Sequence, residues 1–304
     1  MNYESFKQMV VRNIKNYLPE KYEKWEIRES VVRKINENMD CINLIPKEDS
    51  LQIAAFPNIY LNFFYKKLKE GFSFEYIMQS IAVLIDGATP PVEIQNIKNM
   101  VPEIIPTVIN REKNEGLLKN LPHREFLDLA VIYRIAVATE DAGVYGCNVT
   151  YDMMKEFEFG EEELYKFAMI NMKRKFPIKI KNLGQQMKNM MGEKSSEADE
   201  FNEWSPLFIV TNDQNFFGAA GILYNEILEK IADVFDENLY VIPSSIHEIL
   251  VMPENAADGA ELKNIIEENN REVVDEKEWL SDNLYFYDRK LERLEISVQN
   301  SLQS

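Results

Sequence analysis

The sequence predicts an α+β fold, with a helical N-terminal part followed by an antiparallel or mixed β-sheet on which helices pack. Three observations carry this. Apolar residues recur at three-to-four spacing early in the chain. Later runs such as "FLDLAVIYRIAV" and "VYGCNVTY" alternate at every second position. Strands are then scattered among helices, and several are joined by short turns. The character changes near residue 121. A mainly helical region, 1–121, is followed by an α+β sheet region, 122–304, and the two are also compatible with one continuous domain.

The first helix is carried by Phe6, Met9, Val10, Ile14 and Tyr17 and is stopped by Pro19. "DCINLIP" and "LQIAAF" read as short strands, and "NIYLNFFYKKLKEG" as a helix closed by Gly71. Ser73 caps a further helix with Ile77, Ile81 and Leu84 on one face. The proline-punctuated stretch up to Leu121 reads as short helices, notably around "NREKNEGLLKNLP". The alternation and β-branched content of "FLDLAVIYRIAV" favour a strand, and a turn at Asp141 to Gly143 joins it to "VYGCNVTY".

"GEEELYKFAMINMKRKFP" is a helix with acids at its start and bases at its end, as the dipole favours. Asn171 falls on its apolar face, where a buried amide is hydrogen-bonded to backbone. An exposed acidic loop follows near 191–203. "PLFIVTND" is a buried strand, and "FFGAAGILYNEILEKIADVF" a helix with Ala220, Leu223, Ile227, Ile231 and Val234 inward. "LYVIP" and "IHEILVMP" are strands, "GAELKNIIEENN" a helix, and "LYFYDRKLERLEI" a closing hairpin near Arg289.

The chain has 34 Lys and Arg against 51 Asp and Glu, a net charge of −17. A field of that sign repels phosphate backbones, so no nucleic acid is expected as a partner. The basic run "KRKFPIKIKN" is better explained by the dipole of the helix it ends. Two distant cysteines, Cys41 and Cys147, suit reduced thiols in a cytoplasmic protein. No apolar run approaches a spanning helix, so no membrane association is expected.

The ordered motifs "PHREFLDLAVIYRI", "ELYKFAMIN", "LFIVTNDQNFFGAAGILYNEILEKIAD", "LYVIPSSIHEILVMPE" and "WLSDNLYFYDRKLERLEI" resemble the bacterial family called domain of unknown function 5688, over nearly the whole chain. The second half is more distantly similar to domain of unknown function 1444. There the counterpart of "PSSIHE" is shorter and lacks both serines, which counts against a serine nucleophile. The resemblance implies a shared fold and supplies no activity.

"SSIHE" brings together the residue types of a hydrolase: Ser244, Ser245, His247 and Glu248. On a strand running from Ile246 to Met252, His247 and Glu248 point to opposite faces, so Glu248 cannot orient the imidazole. The alternative is a turn at Pro243 to Ser245 with His247 packed on the second strand. His123 and His247 are the chain's two histidines. With Asp128 they form a cross-strand constellation if their strands adjoin. Glu125 adds a possible metal ligand, but no pair has metal-ligand spacing, so neither metal nor cofactor is expected. In "TNDQNFFGAAG", Asn212 or Asn215 is the expected helix cap. The aromatic runs "NIYLNFFY" and "LYFYD" offer either core or a contact surface. The sequence thus favours a non-enzymatic protein-binding or regulatory module. The alternative is a hydrolase-like enzyme built on His247, the serines, and His123 or Asp128.

Overall fold

The computed structural model describes residues 1–46, 58–87, 97–139, 143–184 and 205–297. The chain divides into two compact units, Met1–Gln95 and Asn96–Ser304. This division falls ahead of the residue-121 change of character. The strand prediction for "LQIAAF", the turn residues Asp141 and Ala142, and the acidic loop at 191–203 lie outside the described residues.

Unit 1 opens with α1 (Tyr3–Asn13), whose Asn2 side chain caps the Ser5 N–H, and a 3-10 turn, Ile14–Tyr17. Phe6, Val10 and Ile14 are fully buried, as their spacing requires. A long hairpin follows, β1 (Trp25–Lys34) against β2 (Glu37–Pro46), with the short β3 (Ile59–Tyr60) on the other side of β2. β1 was not expected. Its charged residues and half-exposed faces hide the alternation of Trp25, Ile27 and Val31. The predicted helices are accompanied by this small sheet.

α2 (Leu61–Lys69) and α3 (Phe74–Gly87) complete the unit. Gly71, at φ +98°, ends α2 in a left-handed turn that favours glycine. The Gly71 N–H donates to Leu68 O and the Phe72 N–H to Lys67 O, closing a Schellman motif. The Ser73 hydroxyl accepts from the Tyr76 N–H and caps α3, as predicted. Leu84 departs from its predicted face. It is 52% exposed, and Ile85 is buried instead.

Unit 2 holds two antiparallel sheets. In the first, β6 (Leu129–Thr139) pairs β4 (Ile104–Asn110) along one edge. β5 (His123–Phe126) and β7 (Gly143–Asn148) pair with successive halves of β6. The run "FLDLAVIYRIAV" is the predicted strand from Leu129 onward, entered from Phe126, the last residue of β5, through a turn at Leu127 and Asp128, with Leu127 at φ +55°. The predicted β6–β7 pairing is present, with Thr139 opposite Gly143. β4 was expected to be helical. Every one of its residues is buried, and Pro106 is tolerated because β4 lies at a sheet edge. A one-turn helix, α4 (Glu115–Leu118), follows it.

After α5 (Tyr151–Glu156) comes α6 (Glu161–Lys175), which packs Leu164 and Ala168 onto Ile104, Tyr133 and Ile135. Asn171 donates to the carbonyls of Val101 and Ile104 at 2.8 and 3.0 Å, a structural role.

The second sheet has the order β13-β12-β10-β11-β9-β8: β8 (Ile178–Asn182), β9 (Phe208–Asn212), β10 (Leu239–Ser245), β11 (Glu248–Pro253), β12 (Tyr285–Asp288) and β13 (Arg293–Ile296). The helix predicted over "FFGAAGILYNEILEKIADVF" is two pieces, a 3-10 helix, Gly218–Leu223, and α7 (Asn225–Phe235). Tyr224 breaks them with extended φ and ψ. Val234 is consequently exposed, while Leu228, Ile231 and Ala232 are buried. α8 (Gly259–Glu272) covers Met252 and Leu284 with Leu262 and Ile266. Among the described residues, no helix is long and apolar enough to cross a membrane.

Candidate functional site

All the candidate residues lie in unit 2, and its two sheets hold them in three separate hydrogen-bonded settings. The first is the β10–β11 connection. β10 continues through Pro243 to Ser245, and Ser245 pairs with Glu248. The turn is therefore Ile246–His247, not Pro243 to Ser245, and His247 is not on the second strand. Pro243 survives in the strand because the register shifts between Ile242 and Ser245, and a bulge needs no N–H there. The buried Ile246 anchors the turn by donating its N–H to Glu278 O.

His247 is held at three points. Its N–H donates to Ser245 Oγ at 3.1 Å, and its carbonyl accepts from Thr211 Oγ1 at 2.9 Å. Its ring Nδ1 accepts the Phe217 N–H at 3.2 Å. The ring also stacks on Phe217, with centroids 5.6 Å apart and planes at 26°. Phe217 needs this support, since a non-glycine φ of +52° is strained. The loop before it is closed by Asn212, whose Oδ1 accepts from the Gln214 and Phe216 N–H groups. Asn212 thus shapes the loop rather than capping a helix.

This arrangement decides the chemistry of His247. An Nδ1 that accepts a backbone N–H leaves the proton of the neutral ring on Nε2. Both nitrogens are then engaged or protonated, and neither takes a serine proton. Ser245 Oγ meets the backbone of His247, not its ring. Burial holds the His247 imidazole below its ordinary 6.5 and raises the Glu248 carboxyl above the usual carboxylate range.

A pH dependence follows. A proton on Nδ1 would face the Phe217 N–H, so the unfolded chain binds that proton more tightly. The contribution of His247 to stability is expected to be complete above about pH 6.5 and to fall as pH drops below it. His247→Asn keeps an acceptor for Phe217 and is expected to lose that part of the slope. Urea denaturation of both proteins at about pH 5.5 and 7.5 checks this. Glu248 is common to both, so its opposite trend cancels in the comparison.

The second setting is Asp128, at the β5–β6 turn. Its carboxylate accepts Ser281 Oγ and Tyr285 OH, both at 2.6 Å, and Asn283 Nδ2 at 3.0 Å. Ser281 and Tyr285 are fully buried. Burial, then the adjacent Asp128 charge, holds the Tyr285 hydroxyl well above the phenol range, so it remains a donor. Nearby, Asn110 Nδ2 donates to Leu280 O at 3.0 Å. Asp128 therefore clamps the segment leading into β12.

His123 is the third. Its Nδ1 meets Leu121 O at 2.8 Å. A carbonyl can only accept, so Nδ1 carries the proton and Nε2 is the basic nitrogen. His123 lines an open cleft of about 790 Å³ with Arg124, Glu125 and Gly160 to Glu163. Four of the charged groups there, Arg124, Glu125, Glu162 and Glu163, have partners. Arg124 pairs with Glu162 and lies over the Tyr165 ring, Glu125 pairs with Arg111, and Glu163 accepts the Gly160 N–H.

No hydrogen bond among the described residues joins His247 to His123, Asp128, Ser244 or Glu248. The described residues also contain no group of three or more His, Cys, Asp or Glu able to hold a metal ion. The cross-strand constellation is thus three unrelated nodes. Asn283, Ser281 and Tyr285 completed the Asp128 node without any local signal in the sequence.

Unit 1 carries a different feature. Phe63, Phe72, Tyr76, Val83 and Leu84 are 56%, 40%, 53%, 70% and 52% exposed. They line a groove of about 560 Å³ along α2 and α3, with Phe64 and Ile77 in its lining. Of the aromatic run "NIYLNFFY", Phe63 is exposed on this face and Phe64 is buried beneath it. The Schellman turn sets Phe72 beside Lys67, whose ammonium lies 5.2 Å from the Phe72 centroid and 5.8 Å from that of Phe63.

No curated protein and no solved structure matches the chain. A family model described as "Family of unknown function" matches residues 3–289, so the chain belongs to that family, DUF5688.

Proposed function

We propose that the chain is a non-enzymatic protein-binding or regulatory module and that the α2–α3 groove of unit 1 is its contact face. The observation that carries this is the groove itself. Five large apolar side chains share one surface, and contiguous exposed apolar patches mark interaction sites. Exposed aromatics are also the residue types that anchor protein interfaces. The engaged states of His247, Ser245 and Asp128 support the same reading, because each group is committed to holding backbone or neighbouring segments.

The test is a photo-reactive residue placed at Ser80, which lines the groove, in living cells. Intermolecular adducts are expected, and they should vanish in Phe63→Asp/Tyr76→Asp while the melting temperature stays close to wild type. One observation favours a hydrolase-like enzyme as a second reading: the basic Nε2 of His123 at an open cleft. A broad hydrolase screen addresses it. Turnover by the wild type that is lost in an equally stable His123→Gln would displace the binding reading.

A further inference from the structure

We infer that the occupant of the α2–α3 groove is a second copy of this chain, an assignment that rests on the binding reading above. Charge favours this face over the rest of the chain. Residues 1–95 contain 12 Lys and Arg against 13 Asp and Glu, a net −1, whereas residues 96–304 contain 22 against 38, a net −16. Two copies meeting through residues 96–304 would oppose strongly like-charged surfaces. Two copies meeting through unit 1 bring near-neutral surfaces together. The exposed apolar face lies on that near-neutral unit.

The composition of the face suits an uncharged partner. Among the described residues Lys67 is the one charged residue lining the groove, and Glu70 already neutralises it at 2.9 Å. Covering the groove therefore strands no unpaired charge. A strongly charged partner would find little to complement there. An uncharged apolar surface fits, and the groove itself is such a surface.

The shape of the face suits a copy of itself. On α3, Tyr76, Ser80 and Val83 follow i, i+4 and i+7, a single stripe of about 10 Å. On α2, Phe63 and Lys67 are one turn apart. A two-helix layer with an apolar outer stripe is half of a four-helix arrangement, and a two-fold axis completes it by matching one patch to itself.

Sedimentation velocity of the full chain across a concentration series tests this. Wild type is expected to sediment at twice its 35.6 kDa mass. Phe63→Asp/Tyr76→Asp should be monomeric with an unchanged melt. Raising the salt should leave the dimer intact or tighten it, because the contact is apolar and the residual repulsion is screened. Mass spectrometry of the Ser80 adduct should show a link to residues 61–87 of another copy. A dimer that persists in the double variant would overturn the inference. So would a wild type that stays monomeric throughout. Adducts from a monomeric wild type to a different protein would remove the self-association and leave the binding reading standing. A monomer with no intermolecular adduct at all would remove both.

Discussion

Replacing Asp128 by alanine is expected to destabilise unit 2 by about 3–5 kcal/mol, since several donors lose their acceptor at once and a buried unsatisfied group costs roughly 1–3 kcal/mol each. Ser281 and Tyr285 are fully buried and both donate to this carboxylate, so they feel the loss most. Asn283 is part-exposed and can turn to water more easily. Tyr285→Phe, which removes one donor and leaves the carboxylate two, should cost about 1–2 kcal/mol. Urea denaturation of the two variants gives the comparison. A change below about 1 kcal/mol for Asp128→Ala would show that the clamp is not structural.

Gly218→Ala is expected to be comparably severe, about 3 kcal/mol or more, by overpacking rather than by loss of a bond. A Cβ at Gly218 would stand 2.5 Å from both the His247 carbonyl oxygen and Thr211 Oγ1, and 2.7 Å from Thr211 Cα. Two of these atoms are backbone, one on β9 and one in the β10–β11 turn, so no rotamer change relieves the clash. Thr211 Oγ1 and His247 O are the two ends of one hydrogen bond, and the intruding methyl group would part them. The pH slope attributed to His247 should weaken in the same variant as the Phe217 contact loosens. Thermal melts at about pH 5.5 and 7.5 would read both effects. A melting temperature within a degree or so of wild type would show that the backbone there yields freely.

The α+β class was legible because several elements carry their own signals. The end charges of α6, the alternation of β6 and β7, and the Ser73 cap each arise from residues a few positions apart. Five strands escaped, β1, β3, β4, β5 and β8, and for β1 and β4 the reasons are local. β4 contains Pro106, and proline argues against a strand until the strand is known to lie at an edge. β1 has one face in solvent and charges on both, so its period is blurred. Pro243 and the serine pair read as a turn because proline ends most central strands. The bulge that admits it is visible only in the β10–β11 register.

The candidate site was legible as a set of residues and not as an arrangement. The expectation that Glu248 does not orient His247 rested on a strand that held both, whereas the strand begins at Glu248 and His247 lies in the turn before it. Nor did the spacing show that Phe217 supplies the partner of the imidazole, because a left-handed backbone at phenylalanine has no sequence signature. The three partners of Asp128 were beyond reach for a simpler reason, which is that they are 153, 155 and 157 residues away.

That separation has a kinetic consequence. Closing so long a loop costs chain entropy before the contact returns any stabilisation, so the Asp128 clamp belongs among the last interactions to form. Interactions absent from the folding transition state act on the unfolding rate. Asp128→Ala should therefore unfold faster, by a factor set by nearly its whole equilibrium loss, while its refolding rate stays close to wild type. During synthesis the β5–β6 hairpin emerges with its carboxylate unpartnered. It remains so until the chain has been extended by 153 residues, to Ser281, for its first partner and by 157, to Tyr285, for its last.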